Sequence, residues 1–378
     1  MPPRTPSFQK LTELESAQLD SVRGASALIV AIAHANQTII APMHAGASLA
    51  LGFAAQASVM VFFVLSDFLI GKSINGNLNR HNGRFAIGQY AIDRVLRIWP
   101  PLLLALLLIV AMQHLSPFVF PSGSSSFLQS PGESPARTGL TYTASEILGA
   151  ALGLNGYLTD TPTANGPLWS LSIEIWYYAL AAIVALPRGW WRLLAVPVAA
   201  GLMQLAQNNS QFFYYLPVWA AGYVVAILHD RRVFPSLSII LIAIAGCLTA
   251  AAWNGYQSST IIDGKLSWLA LVRFNVFFGF AACGLLMLLL QGRLRISTAA
   301  RSSAAYAYTL YVIHFPLLLF IYGVFQPWIR QGMLQSIAIA VGSVLAIVVL
   351  SRTLSRVVEN KRLLQRLLQI RPAPVANQ

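Results

Sequence analysis

The sequence is poor in charged residues and in cysteine, and these two shortages exclude several classes of protein. Only 10% of the 378 residues are Asp, Glu, Lys or Arg, whereas a soluble domain carries roughly 25%. The two cysteines, Cys247 and Cys283, lie in apolar segments, which argues against a disulfide framework or a thiolate metal site. The first twenty residues contain no apolar stretch, so we expect no cleaved signal peptide.

Long hydrophobic runs take the place of the missing charge. Hydrophobic residues make up 56% of the chain, and many runs approach the roughly 20 residues that cross a bilayer. They predict an all-α fold, a polytopic transmembrane helical bundle of about ten spans. The predicted spans lie near residues 24–41, 53–71, 98–114, 167–187, 193–206, 213–228, 235–253, 267–290, 304–323 and 334–350.

The positions of the basic residues predict the orientation of this bundle. The formal net charge is +13, but in a membrane protein Lys and Arg report topology more than nucleic-acid binding. Connections on the side of the amino terminus hold most basic residues, Lys72 among them, whereas the other side holds only Arg137, Lys265 and Arg330. We therefore expect both termini in the cytosol and no nucleic-acid partner. A basic cytosolic face would attract anionic membrane lipid.

Three segments follow from these spans. Residues 1–23 form a cytosolic amino-terminal segment, 24–350 the membrane domain, and 351–378 a basic cytosolic tail. The longest outer connection, 115–166, is rich in Ser, Pro, Gly and Thr. Its apolar stretch, 147–158, is too short to span a bilayer, so we expect a re-entrant or interfacial piece covering an outward-facing site, or else a disordered loop.

Ionisable residues inside the predicted spans are candidates for chemistry, because inserting Asp, Lys or Arg costs at least about 2.5 to 3.5 kcal/mol. His34 lies about ten residues into the first span, near mid-membrane. Its position alone supports a packing role and a role as a general base equally. Asp67 and Arg273 could be each other's counter-ion. The full set is His34, Asp67, Glu174, Arg273 and His314.

Glu174 lies about seven residues into the fourth predicted span, in the segment PLWSLSIEIWYY. One interpretation is an interhelical hydrogen bond that holds the bundle together. We favour the alternative, a carboxylate that lines a wet cavity, because it lies deep in the span beside aromatic residues such as Trp169. Arg94 and Arg97, just before the third span, are explained by topology alone.

Several segments in a fixed order resemble the integral membrane acyltransferase family 3, polytopic enzymes that O-acylate sugars. The opening segment resembles the family's LDxLRG followed by a histidine, with Arg23 and His34 at the family's spacing. The similar segments are LDSVRGASALIVAIAH (19–34), VFFVLSDFLIG (61–71), DRVLRIWP (93–100), PLWSLSIEIWYY (167–178), YTLYVIH (308–314) and, more weakly, SRVVENK (355–361).

The chain departs from the family pattern on the second span. Asp67 stands where the family usually has glycine, and Met60 stands where it has aspartate. Seven positions are about two helical turns, so the carboxylate returns to nearly the same face of the helix. We infer that it has moved along this helix.

The resemblance implies transfer of an acyl group, most often acetyl, from acetyl-CoA to a sugar hydroxyl of a polysaccharide, lipopolysaccharide or other glycan or glycoside. We assign the general base to His34; alternatively, His34 attacks the thioester and carries the acyl group. Arg23, with Arg94 and Arg97, is expected to bind the phosphates of CoA, and Glu174 to orient His34 or bind the acceptor. No metal is expected. Supporting or substrate-contacting positions are Ser66, Asp67, Trp169, Ser170, Ser172, Tyr311 and His314.

A transport function is the alternative from another class. In a proton-coupled transporter or a lipid-linked glycan flippase, His34, Asp67 and Glu174 would form a proton relay. The sequence shows no internal repeat of the transporter kind, which counts against this alternative. It does not specify the acceptor sugar, the acyl length or the oligomeric state. With the resemblance, it predicts an integral multi-pass protein of the bacterial cytoplasmic (inner) membrane.

Overall fold

The computed structural model describes residues 8–42, 49–128, 138–185 and 191–369, most of which are helical. The all-α prediction is confirmed. The α-helices are α1 (Glu13–Ala35), α2 (Leu49–Arg80), α3 (Ile87–Val119), α4 (Ala144–Leu152), α5 (Leu168–Ala185), α6 (Trp191–Ala206), α7 (Ser210–Arg231), α8 (Leu237–Thr260), α9 (Gly264–Leu290), α10 (Ala307–Ile329), α11 (Met333–Val358) and α12 (Lys361–Leu367).

Eight of the described helices are long and apolar enough to cross a bilayer, namely α2, α3, α5 and α7 to α11. The first and fifth predicted spans fall on α1 and α6, which do not meet this standard. Helix α1 opens with the charged residues Glu13 and Glu15, and α6 has only 16 residues. Helices α2 and α3, with 32 and 33 residues, extend well beyond their predicted spans, because their polar ends are helical without being apolar.

A local sequence signal fixes where α1 begins. The side chain of Thr12 accepts a hydrogen bond from the backbone of Glu15, and the Glu15 side chain accepts one from the backbone of Thr12. This reciprocal capping box satisfies backbone donors that a helix start otherwise leaves unpaired. The helix that begins here continues to Ala35 and carries both Arg23 and His34.

The short helix α4 enters the bundle between α3 and α5. The indole nitrogen of Trp99 donates to the carbonyl oxygen of Ala151 over 2.9 Å, and that of Trp176 donates to Gly153 over 2.8 Å. Gly153 ends the helix with a φ of 69°, a left-handed conformation that glycine adopts without a Cβ clash. The end of α4 is thus hydrogen-bonded to side chains of α3 and α5. Arg137, in the same connection, lies outside the described residues.

The first half of α1, the start of α10 with the turn before it, and the end of α11 lie together at one end of the bundle, called the amino-terminal end below. Arg23 donates to the carbonyl oxygen of Ala304 over 3.4 Å. The carboxylate of Glu359 accepts from the backbone N–H and the hydroxyl of Thr309, over 2.9 and 2.5 Å. Burial raises the pKa of the Glu359 carboxyl above its usual value, although the Thr309 hydrogen bonds oppose this shift.

A buried ion pair ties the amino-terminal segment to α2 and α7. Lys72 donates to the Asp230 carboxylate and to the carbonyl oxygen of Gln9. Asn75 and the backbone N–H of Gln9 also donate to Asp230, over 2.6 and 3.1 Å. Lys72 and Asp230 are only 7% and 5% exposed, and a buried pair of this kind requires such extra hydrogen bonds. Lys72 is therefore a structural residue as well as a topology signal.

Candidate functional site

A polar cavity lined by His34 lies away from the amino-terminal end. His34 lies in the last turn of α1, directly before a π-helical turn over Asn36–Ile40. Such local widening of a helix is frequent at functional sites. We call this space the histidine cavity. Its other lining residues are Gln37, Ala55, Gln56, Val59, Gly166, Pro167, Trp169, Tyr311 and Phe315.

The ring of His34 pairs with the ring of His314 on α10. Nδ1 of His34 lies 2.8 Å from Nε2 of His314, and the two ring planes are only 7° apart. His314 is 1% exposed, and its Nδ1 lies 3.0 Å from the carbonyl oxygen of Leu310, one helical turn earlier. A chain of hydrogen bonds therefore joins His34 to the backbone of α10 through His314.

These hydrogen bonds determine which ring nitrogen of each histidine carries the hydrogen. A carbonyl oxygen only accepts hydrogen bonds, so His314 carries a hydrogen on Nδ1. A neutral His314 then accepts at Nε2, and His34 donates to it from Nδ1. The neutral form of His34 consequently has its lone pair on Nε2. A ring nitrogen with a lone pair can act as a general base.

A second cavity lies nearer the amino-terminal end. Its charged lining residues are Arg23, Arg97 and Glu174, and we call it the arginine cavity. Most of the remaining wall is apolar or aromatic. The remaining lining residues are Val59, Phe62, Phe63, Leu65, Ser66, Leu69, Ile98, Ser170, Leu171, Tyr178, Tyr308 and Tyr311.

Two of the three predicted phosphate-binding arginines line the arginine cavity. The guanidinium of Arg23 lies 3.1 Å from the carboxylate of Asp20, one turn earlier on α1. Arg97 is exposed to the cavity. Arg94 lies instead over the ring of Tyr178, 5.4 Å from its centroid. The cavity therefore combines two cations and one carboxylate with largely apolar walls.

Glu174 is held in the wall of the arginine cavity by two hydroxyl groups. Ser66 of α2 and Tyr178 of α5 both donate to its carboxylate, and their own oxygens lie 3.0 Å apart. Glu174 therefore makes the interhelical hydrogen bond of the first interpretation and also lines the arginine cavity. It bonds to Ser66 and Tyr178, whereas His34 bonds to His314. The alternative role of Glu174, binding the acceptor, stays a prediction.

The two cavities meet at Tyr311 and Val59, which line both. The Tyr311 hydroxyl lies 2.5 Å from the Ser170 hydroxyl and donates to the carbonyl oxygen of Pro167 over 3.1 Å. Its ring packs edge-on against Phe62, with centroids 5.7 Å apart. These contacts hold one aromatic side chain as the wall between the histidine cavity and the arginine cavity.

Four predicted site residues, Asp67, Arg94, Ser172 and His314, line neither cavity. Asp67 is fully buried, and its Cβ lies 2.7 Å from where a Cβ on Gly222 of α7 would stand. Ser172 is 3% exposed and donates to the carbonyl oxygen of Leu168 over 3.4 Å. The suggested pairing of Asp67 with Arg273 is wrong. Arg273 is exposed, and neither oxygen of the Asp67 carboxylate has a hydrogen-bond partner among the described residues.

The inferred move of a carboxylate along α2 keeps it inside the protein. Met60 and Asp67 are both fully buried, as two helical turns would predict. The neighbouring residue, Ser66, is nevertheless the one that reaches Glu174.

Sequence reasoning missed several polar residues of the cavities. Tyr178 donates to Glu174, and its position four residues later on the same helix is the spacing that places two side chains on one face. Gln37 follows His34 by three residues and lines the same cavity, again at a helical spacing. Gln56 and Tyr308 also line the cavities. Tyr308 is the first residue of the segment YTLYVIH, whereas no motif marks Gln56.

Comparison with known proteins adds one finding. A family model described as an acyltransferase domain matches residues 16–352, which is most of the chain. No curated protein and no solved structure gives a significant match. Within the described residues, no group of three or more His, Cys, Asp or Glu side chains is placed to hold a metal ion.

Proposed function

Since this chain belongs to the membrane acyltransferase family whose domain it matches, we propose that it moves an acetyl group from acetyl-CoA to a hydroxyl of a glycan. The hydrogen-bond chain from His34 through His314 to the backbone carries this proposal, because it leaves a basic nitrogen on a ring that lines a polar cavity.

The arginine cavity supports the choice of donor. Guanidinium groups form strong charge-assisted hydrogen bonds with phosphate, and Arg23 and Arg97 supply two of them. The apolar wall beyond them suits the uncharged arm that ends in the thioester. Arg23 and His34 are eleven residues apart on one helix, or about 16 Å along its axis. An extended donor would therefore bring its thioester towards Tyr311 and His34.

The histidine cavity supports the choice of acceptor. Gln37, Gln56 and His34 line it with hydrogen-bonding groups, and Trp169 adds an aromatic surface. Hydroxyl-rich molecules match this combination, because amides both donate and accept hydrogen bonds. We place the acceptor glycan here. With both termini cytosolic, this cavity would open towards the outer side and the arginine cavity towards the cytosol.

In the proposed reaction, the glycan hydroxyl oxygen attacks the carbonyl carbon of the thioester. A carbon–oxygen bond forms, and the hydroxyl proton passes to Nε2 of His34. The carbon–sulfur bond then breaks, and the leaving thiolate takes up a proton, which regenerates neutral His34. While His34 is protonated, its Nδ1–H bond to His314 is charge-assisted and therefore stronger.

Transfer of radiolabelled acetyl by the purified protein in nanodiscs tests this proposal. We expect thiol release and labelled glycan that both require an acceptor, and we expect His34→Ala to lower the rate by about 10²- to 10⁴-fold. Protein that releases no thiol with any acceptor, yet moves a glycan across a sealed vesicle, would support transport instead. Acid quenching without acceptor distinguishes the base from the covalent alternative, because only the latter leaves label on His34.

A further inference from the structure

A third cavity lies at the amino-terminal end of the bundle, between the ends of α7 and α9. It shares no lining residue with the arginine cavity. Its polar lining residues are Gln9, His229, Arg232, Gln291 and Arg293. The lining includes two arginines and no carboxylate, so this cavity favours an anion.

Both arginines are held through Nε by a glutamine side chain. Arg232 donates from Nε to Oε1 of Gln9 over 2.9 Å, and Arg293 donates from Nε to Oε1 of Gln291 over 3.2 Å. Both arginines are exposed. Bonding through Nε fixes the plane of a guanidinium and leaves the N–H groups of its terminal nitrogens to bind an anion in a forked geometry.

The backbone at Arg232 adds a second observation. Arg232 ends α7 in a left-handed conformation, with a φ of 55°. Glycine or asparagine is the usual residue at such a helix end, because a larger side chain is disfavoured there. This sequence keeps an arginine, and the turn aims its side chain back at Gln9 of the amino-terminal segment.

Two donors in the wall of the cavity have no acceptor among the described residues. The Lys72 ammonium donates to Nδ1 of His229 over 3.1 Å, so a neutral His229 carries its hydrogen on Nε2. That nitrogen has no hydrogen-bond partner, and the carboxylate of Glu15 lies 3.8 Å away. Nε2 of Gln291 also has none. A bound anion would offset this excess of donors.

We propose that this cavity binds a phosphate group, carried in the membrane by the headgroup of an anionic phospholipid. Arginine recognises phosphate through two parallel hydrogen bonds, and the cavity provides two arginines. Phe234 and Leu290 give it an apolar edge. The exposed residues Leu237 and Ile239 at the start of α8 continue that edge. These exposed apolar side chains would contact the lipid chains, so a phospholipid headgroup fits this position. The proposal does not depend on acyl transfer.

Thermal unfolding of the full chain in detergent tests the site. We expect phosphatidylglycerol to raise the unfolding midpoint and phosphatidylcholine to leave it unchanged, because a ligand that binds only the folded state stabilises it. Losing one charge-assisted contact weakens binding by about tenfold or more. The double variant Arg232→Gln, Arg293→Gln should therefore lose the shift. Arg293→Gln alone, after the end of α9, should lose part of it and serves if the double variant is unstable.

The matched control is the double variant Arg352→Gln, Arg356→Gln, which removes the same charge from exposed positions of α11. It should keep the full response to phosphatidylglycerol. A second arm adds adenosine 3′,5′-bisphosphate in place of lipid. Suppose that the nucleotide raises the unfolding midpoint, that phosphatidylglycerol does not, and that the Arg232 and Arg293 variants lose the nucleotide shift. This result would support the phosphate site and overturn the lipid as its source. An equal loss in the control, or no shift with either probe, would overturn the site itself.

Discussion

Replacing His314 with leucine should lower kcat for acetyl transfer by about 10- to 150-fold. The variant removes the acceptor that lies 2.8 Å from Nδ1 of His34. A hydrogen bond to a charged group contributes about 1.5 to 3 kcal/mol, and each 1.36 kcal/mol corresponds to about tenfold in rate. The full contribution applies in the transition state, when His34 becomes an imidazolium. KM for donor and acceptor should change little, because His314 is 1% exposed and lines neither cavity.

The matched variant is His314→Gln. The side-chain amide of glutamine can place an oxygen near the position of Nε2, so it can still accept from His34. We expect this variant to keep kcat within a few-fold of the wild type. Initial rates measured over a range of acetyl-CoA and acceptor concentrations separate kcat from KM.

A double-variant cycle decides whether His314 acts through His34. If it does, adding His314→Leu to His34→Ala should cost little further activity, because the shared interaction is already lost. An equal loss in both backgrounds would refute this reasoning, as would a rise in KM with unchanged kcat.

Three further predictions concern the donor site and the packing of the bundle. Arg97→Gln should raise KM for acetyl-CoA with little change in KM for the acceptor, and equal changes in both would contradict the assignment. Burial raises the pKa of the Glu359 carboxyl in the folded protein above its usual value of 4.5. Protonated Glu359 therefore stabilises the fold below pH 4.5, and this stabilisation is lost as the pH rises through the pKa of the folded protein. The unfolding midpoint of the wild type relative to Glu359→Gln should therefore fall over that pH range; a constant difference would argue against the shift. Gly24→Ala should destabilise the fold by about 1 to 3 kcal/mol, because its Cβ would stand 2.6 Å from the carbonyl oxygen of Ala300. The control Gly52→Ala meets nothing within 4 Å and should not destabilise it.

The positions of the helices could be predicted from sequence because lipid imposes a simple rule on long apolar segments. Within the described residues, every predicted span overlaps a helix. The polar ends of α2 and α3 were not predicted to be helical. Hydropathy identifies only the part of a helix that lies inside the bilayer and not its full length. The mid-membrane position of His34 stays a prediction, because α1 is not among the helices that are long and apolar enough to cross a bilayer.

The partners of the site residues could not be predicted in the same way. The hydrogen bond between His34 and His314 joins residues 280 positions apart, and it depends on how α1 and α10 rotate about their axes. The same rotation decides that Arg97 lines the arginine cavity while Arg94 packs over Tyr178. Packing of neighbouring helices sets these rotations, and the motif spacing of a single helix does not.

The Lys72 and Asp230 pair illustrates the same limit. Lys72 follows an apolar run and fits a topology signal, yet its side chain is buried against an aspartate on α7. Asp230 stands beside His229 in the last turn of that helix. A lysine and an aspartate at the same end of two predicted spans were the available signal, but only the packing of α2 on α7 shows that they meet.

Transfer across a sealed membrane tests the central claim most directly, namely that donor and acceptor occupy cavities at opposite ends of the bundle. Proteoliposomes would carry radiolabelled acetyl-CoA on the side of Arg97 and an acceptor glycan on the side of Trp169. The predicted result is labelled glycan with wild-type protein and almost none with His34→Ala. Labelled glycan that forms only when acetyl-CoA and glycan share one compartment would contradict the account.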